Sequence, residues 1–135
     1  MVFAIKAEVR HLRQSLEFTE QKTMYGGRKI AEGDTVFIFA SENEGGRGLI
    51  ARGIVSAAEL MPKKADVVRQ TPRVSIIVKG IEAAKRPLGR SELKRFSDWK
   101  DGRPETELNF KFYRQATNKI VSVSERTAAF LNTFF

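Results

Sequence analysis

AEGDTVFIFASENEGGRGLIARGIVSAAEL, residues 31–60, is the stretch on which the fold turns. Gly33-Asp34 is a turn signal. Residues 35–41 then read as an apolar strand and residues 49–57 as its partner. The loop between them carries two glycines, Gly45 and Gly46, and three ionisable side chains, Glu42, Glu44 and Arg47. It is either the tip of a plain hairpin or the rim of a pocket.

Working outward, residues 2–9 alternate loosely and read as a first strand. Residues 10–23 are polar, with Leu12, Leu16 and Thr19 on one helical face, so a short helix or an ordered loop is expected. MYGGRK, with Gly26-Gly27 at its centre, ends any helix there. Residues 61–72, with a proline near each end, form a connection. Residues 73–81 alternate well and give another strand.

KRPLG is a turn, after which Ser91 is placed to N-cap a helix over 92–100, with Leu93 and Phe96 facing inward. Residues 108–113 read as an aromatic strand and 120–123 as a short one. A terminal helix follows over 125–134, with Ser122 or Ser124 as its cap. It buries either Ala128, Leu131 and Phe135 or the neighbouring stripe with Phe130 and Phe134. Five or six short strands with two or three helices define an α+β class: a small mixed β-barrel in one domain, 1–135.

The chain has 135 residues, of which 41% are hydrophobic and 30% charged, enough for one self-sufficient core. There is no cysteine and only one histidine, His11. That argues against a disulfide framework, a thiolate or His-rich metal site and a Ser-His-Asp triad. No metal and no cofactor are expected. The opening residues lack the pattern of a signal peptide, and no apolar run is long enough to span a membrane. A cytoplasmic protein is expected. The formal charge of +8 favours a polyanionic partner, RNA or DNA, because neutralising phosphates releases counterions.

The order of these motifs resembles the EVE domain of the PUA-like superfamily, whose relatives include the ASCH, YTH and PUA domains. The residues that carry the resemblance are Gly33-Asp34, Ser41, Arg52-Gly53-Ile54-Val55, Arg114-Gln115 and Ser124. It spans residues 29–131. The ASCH signature G-x-K-x-x-E-x-R is matched only in part, by Gly27, Lys29 and Glu32, with Asp34 in place of its arginine. The resemblance implies a PUA-like barrel whose concave face holds a nucleotide, a modified or flipped base of RNA or DNA.

A base-reading site needs a slot with an aromatic wall, polar groups for the base edge and cations for the phosphates. Trp99 is either the stacking wall or an ordinary amphipathic anchor. Tyr25, beside Gly26-Gly27, lies where bare backbone would let a base approach, or in a structural turn. Ser41 and Asn43 either meet a base edge or cap the loop. Arg114 and Gln115 are polar contacts in the family pattern; otherwise Arg114 braces the terminal helix.

Period two would put Phe110 and Phe112 in the core and leave Lys111 and Tyr113 outside. Lys85, Arg86, Arg90, Lys94 and Arg95, with Lys111 and Lys119, are the expected phosphate contacts. Two further classes stay open. An ASCH-like amidohydrolase or ribonuclease would use Lys22 and Thr23 with Glu32 or Glu59. A protein-interaction module would use the apolar terminus FLNTFF.

Overall fold

TVFIFA is apolar along its length because both faces of the strand it forms, β3 (Thr35–Ala40), are covered. Successive side chains of an extended strand point to opposite faces. Val36 and Ile38 enter one cluster with Phe3, Ile5, Ile76 and Ile120, while Phe37 and Phe39 enter another with Leu108, Phe112 and Leu131. The first cluster fills a barrel and the second is the layer between its wall and the helices. The computed structural model describes residues 1–62 and 72–135, so most of the connection expected at 61–72 lies outside the described residues.

The remaining strands are β1 (Val2–Ala7), β2 (Ser15–Met24), β4 (Gly48–Leu60), β5 (Arg73–Ala83) and β6 (Lys119–Ser122). They close in the order β1-β3-β4-β5-β2-β6. β1 runs parallel to β3, and β6 lies between β1 and β2, antiparallel to the first and parallel to the second. The hairpin of β3 and β4 has Thr35 opposite Ile54 and Ala40 opposite Gly48. Three helices cover the wall: α1 (Arg90–Leu93), α2 (Pro104–Leu108) and α3 (Glu125–Asn132). The class is therefore α+β, a six-stranded mixed barrel with flanking helices.

Several local expectations need correction. Residues 108–113 are not a strand: α2 runs on into a π-helical turn over Asn109–Tyr113. Pro104 in the first turn, with Glu105 and Glu107, starts a helix there. Of residues 10–23, only 10–14 are loop; the rest belong to β2 and none is helical. Leu12 lies in the loop before β2, and a bulge between Phe18 and Gln21 breaks the alternation of the strand. The helix expected over 92–100 is only the single turn of α1, which starts after Gly89 rather than Ser91. Glu92 Oε1 accepts the Gly89 N–H at 2.7 Å.

Ser124 is the cap of α3, its Oγ accepting the Thr127 N–H at 3.1 Å. α3 buries Ala128 and Leu131, and Phe134 follows them into the same layer. Phe135 packs on Phe37 at 5.9 Å between ring centroids. The apolar part of FLNTFF thus faces inward. The brace on this terminus is Arg52, not Arg114. Its guanidinium pairs with Glu82 at 2.8 Å, donates to Asn132 Oδ1 at 2.6 Å and lies 4.5 Å from the Phe135 ring.

Gly26-Gly27 is a turn in which Tyr25 and Gly26 both take positive φ, 51° and 81°. A Cβ on Gly27 would sit 2.1 Å from the Ile120 carbonyl oxygen. The close approach that these glycines permit is made by β6.

Candidate functional site

The bulge in β2 also shapes one wall of a cavity. Glu20 sits at φ 49°, unusual for a residue with a side chain. Its N–H donates to Ser75 Oγ at 2.9 Å and its carbonyl accepts from Arg73 Nη1 at 3.0 Å. Bulges re-aim side chains and cluster beside functional sites. Here Glu20, Gln21 and Lys22 all line a space of about 470 Å³, with Ser41, Asn43 and Arg73 around it and residues 116–118 as the far wall.

Ser41 follows β3 directly. Its N–H bonds the Ala7 carbonyl at 2.9 Å, and its own carbonyl accepts from Glu44 and Gly46. The backbone is thus fixed, and the hydroxyl has no protein partner among the described residues. The turn Glu42–Glu44 is tied on three sides. Glu42 accepts from Tyr113 Oη at 2.8 Å and from the Arg90 N–H at 2.6 Å. Arg90 Nη2 reaches Asn43 Oδ1 at 3.2 Å, and Asn118 Nδ2 donates to Glu44 at 2.8 Å. The rim is held before any ligand arrives.

Behind this rim lie two buried lysines. Lys6 and Lys119 are partners across β1 and β6, each 1% exposed. Lys6 Nζ donates to the Phe112 carbonyl at 2.6 Å and lies 5.0 Å from the Tyr113 ring. Burial, then repulsion from Lys119, lowers the Lys6 ammonium to about 8. Burial also lowers Lys119.

The unfolded chain keeps these protons to about pH 10.4. The cost of burying the charge is therefore full below pH 8 and is relieved as pH rises toward 10. Resistance to urea should rise by about 1–2 kcal/mol over that interval, and Lys6→Met should flatten the rise. Above about pH 10 it should fall again, because burial and the bond to Glu42 hold the Tyr113 proton in the folded state. A profile that falls steadily from pH 8 would show that the lysines carry no such cost.

No protein-family model matches the chain, and no curated protein does. Solved structures do. A protein from Pseudomonas putida superposes with a TM-score of 0.63 at 15% identity, over 99% of either chain. The DUF55 domain of human thymocyte nuclear protein 1 gives 0.63 at 13%, over 98% of this chain and 97% of that one. The fold is EVE/PUA-like. A third structure, human THYN1 in complex with 5-methylcytosine-containing DNA, gives 0.55 at 14%, over 98% and 95%.

On this EVE/PUA-like barrel the expected base contacts divide into two groups. Ser41 and Asn43 line the cavity, and exposed Gln115 stands beside its wall, its carbonyl accepting from the Thr117 N–H at 2.8 Å. Tyr25, Trp99 and Arg114 lie elsewhere, gathered round Phe110. The Tyr25 and Trp99 rings are 5.9 and 5.4 Å from it, and the Arg114 guanidinium 4.7 Å.

The expected phosphate contacts divide as well. Lys85, Arg86, Arg90, Lys94 and Arg95 are exposed. Arg86 lies over Phe134 and Arg95 over Phe96. Lys111 and Lys119 need correction. The Lys111 ammonium is held by Glu107 at 2.9 Å and the Ser122 carbonyl at 2.7 Å, and Lys119 is under the helical layer.

The hydrolase set does not assemble. Lys22 lines the cavity, but Thr23 is buried and its hydroxyl donates to the Pro72 carbonyl at 2.7 Å. Glu32 precedes β3 whereas the cavity lies past the end of β3, roughly 20 Å along the strand. Glu59 belongs to a separate groove with Glu17 and Ser75. No group of three potential metal-binding side chains occurs among the described residues, and no described helix is long and apolar enough to cross a membrane.

Glu20, Gln21, Arg73 and the 116–118 wall were not foreseen. Arg73 opens a clear strand just after Pro72, which is a signal for a strand end but not for a cavity. Nothing in the local pattern announces the bulge.

Proposed function

We propose that this chain is a non-catalytic nucleic-acid-binding protein whose cavity receives a single base, flipped from a duplex or already unpaired. The observation that carries the reading is the composition of the cavity wall. The Glu20 carboxylate accepts from an exocyclic amino group, Lys22 and Arg73 donate, and the Ser41 hydroxyl and Asn43 and Gln21 amides do either. About 470 Å³ is in the range of small-ligand sites. A structure of the same fold is bound to DNA containing 5-methylcytosine, which supports a nucleic-acid partner and makes a modified base the first ligand to try.

Lys22 is the residue to test, because it is exposed on the cavity and makes no hydrogen bond among the described residues. Single strands bearing cytosine, 5-methylcytosine or other modified bases should bind. Lys22→Ala should weaken the preferred one about tenfold, near 1.4 kcal/mol, with unchanged thermal unfolding. Binding that ignores Lys22→Ala, or no binding at low salt, would refute the reading.

A further inference from the structure

Two of the most exposed large apolar side chains, Tyr25 at 39% and Trp99 at 43%, are not scattered. Both rings pack on half-buried Phe110, the indole edge-on at 67° and the phenol tilted at 58°. Cations stand over the group. Arg114 is 4.7 Å from the Phe110 ring and 5.8 Å from the Trp99 ring, and Lys111 is 5.5 Å from the Tyr25 ring. Beside the indole is a depression of about 290 Å³ bounded by Gly102, Arg103, Thr106 and Glu107. Its one carboxylate, Glu107, already accepts from Ser124, Thr127 and Lys111, at 2.6, 2.7 and 2.9 Å.

Exposed rings with the Arg114 and Lys111 cations over them suit a polyanion that also offers flat π-faces. A single-stranded nucleic acid does both. The platform is also beside the cavity. Arg114 is two residues before Ala116, which lines it, so their Cα atoms are at most about 7.6 Å apart. The π-helical turn sets this junction, since it carries Phe110 at one end and delivers the chain to the cavity wall at the other. Such turns recur at functional sites.

We propose that Tyr25, Phe110 and Trp99, with Arg114, form a second contact that stacks nucleotides lying at least two positions along the strand from the base in the cavity. The proposal rests on the base-binding reading above. It predicts a protein that grips a strand rather than an isolated base, with Arg114 on the phosphate between the two contacts.

The test compares two labelled probes on the full chain: a single strand of roughly twelve nucleotides and a trinucleotide centred on the same base. Trp99→Ala should weaken the longer strand about tenfold, as expected for one lost stacking contact, and leave the trinucleotide unchanged. Trp99→Phe should restore most of the loss, which separates stacking from a folding defect. Intrinsic fluorescence should be quenched by the strand and not by the trinucleotide, since Trp99 is the only tryptophan.

If Trp99→Ala binds the strand as well as wild type while Lys22→Ala weakens both probes, the platform is wrong and the cavity stands. Equal weakening of both probes by Trp99→Ala would also overturn a separate contact. If wild type binds neither probe, both readings fall.

Discussion

Phe112→Ala is expected to lower the stability of the protein by about 3–5 kcal/mol. Phe112 is fully buried, its ring 5.1 Å from that of Phe39, in the layer between barrel wall and helices. Removing it opens a cavity at the point where the Phe112 carbonyl also receives Lys6. Phe110→Ala, by contrast, should cost about 1 kcal/mol, as a partly exposed position does. Two residues apart on a helix, the two rings point to nearly opposite sides; on a strand they would share one face. Urea titrations of both variants therefore test the helical assignment of residues 109–113 as well as the packing. Equal losses would restore the strand.

The second large effect is on binding. With Lys111 and Lys119 excluded, the expected phosphate contacts left are Lys85, Arg86, Arg90, Lys94 and Arg95, of which Arg90 is already held by Asn43 and over the Tyr113 ring. If about four of them meet phosphates, the logarithm of affinity for a single strand should fall with the logarithm of salt at a slope near −2.8. That is about a fiftyfold loss between 50 and 200 mM. Replacing Lys85 and Lys94 together by Ala should halve the slope to about −1.4, whatever base is presented. A slope that does not change would move the phosphate path to another face, with Arg103 and Arg114 the next residues to replace.

How far these features were legible depended on whether local pattern and tertiary setting agreed. TVFIFA and the period-two run after Arg73 announce strands because their burial is set by the barrel on both sides or on one. Ser124 announces its helix because a cap acts within one turn. NFKFY does not, since Phe-x-Phe fits a strand or a helix equally well and only Pro104, upstream, decides. β2 hides because its outer face is polar and Glu20 shifts its register.

The site divides in the same way. Ser41 and Asn43 could be found because they end a legible strand. Glu20, Gln21 and Arg73 could not, because their meeting depends on the bulge. Lys119 misleads for the opposite reason: a lysine reads as surface, yet its place on β6 carries it beneath the helices.

The position of β6 in the barrel also governs how the chain must be made. β1 can pair with β3 soon after both are synthesised, and β4 and β5 can follow. One edge of β1 and one of β2 then remain open until β6 arrives, because Phe3 waits for Ser122 and Met24 for Val121. At roughly 5–20 residues per second, a nascent chain carries those two bare edges for about 2–8 s between the end of β5 and the end of β6. Such edges recruit other strands, and contacts this distant in sequence form slowly. During synthesis, these two edges are where a strand from another chain would pair.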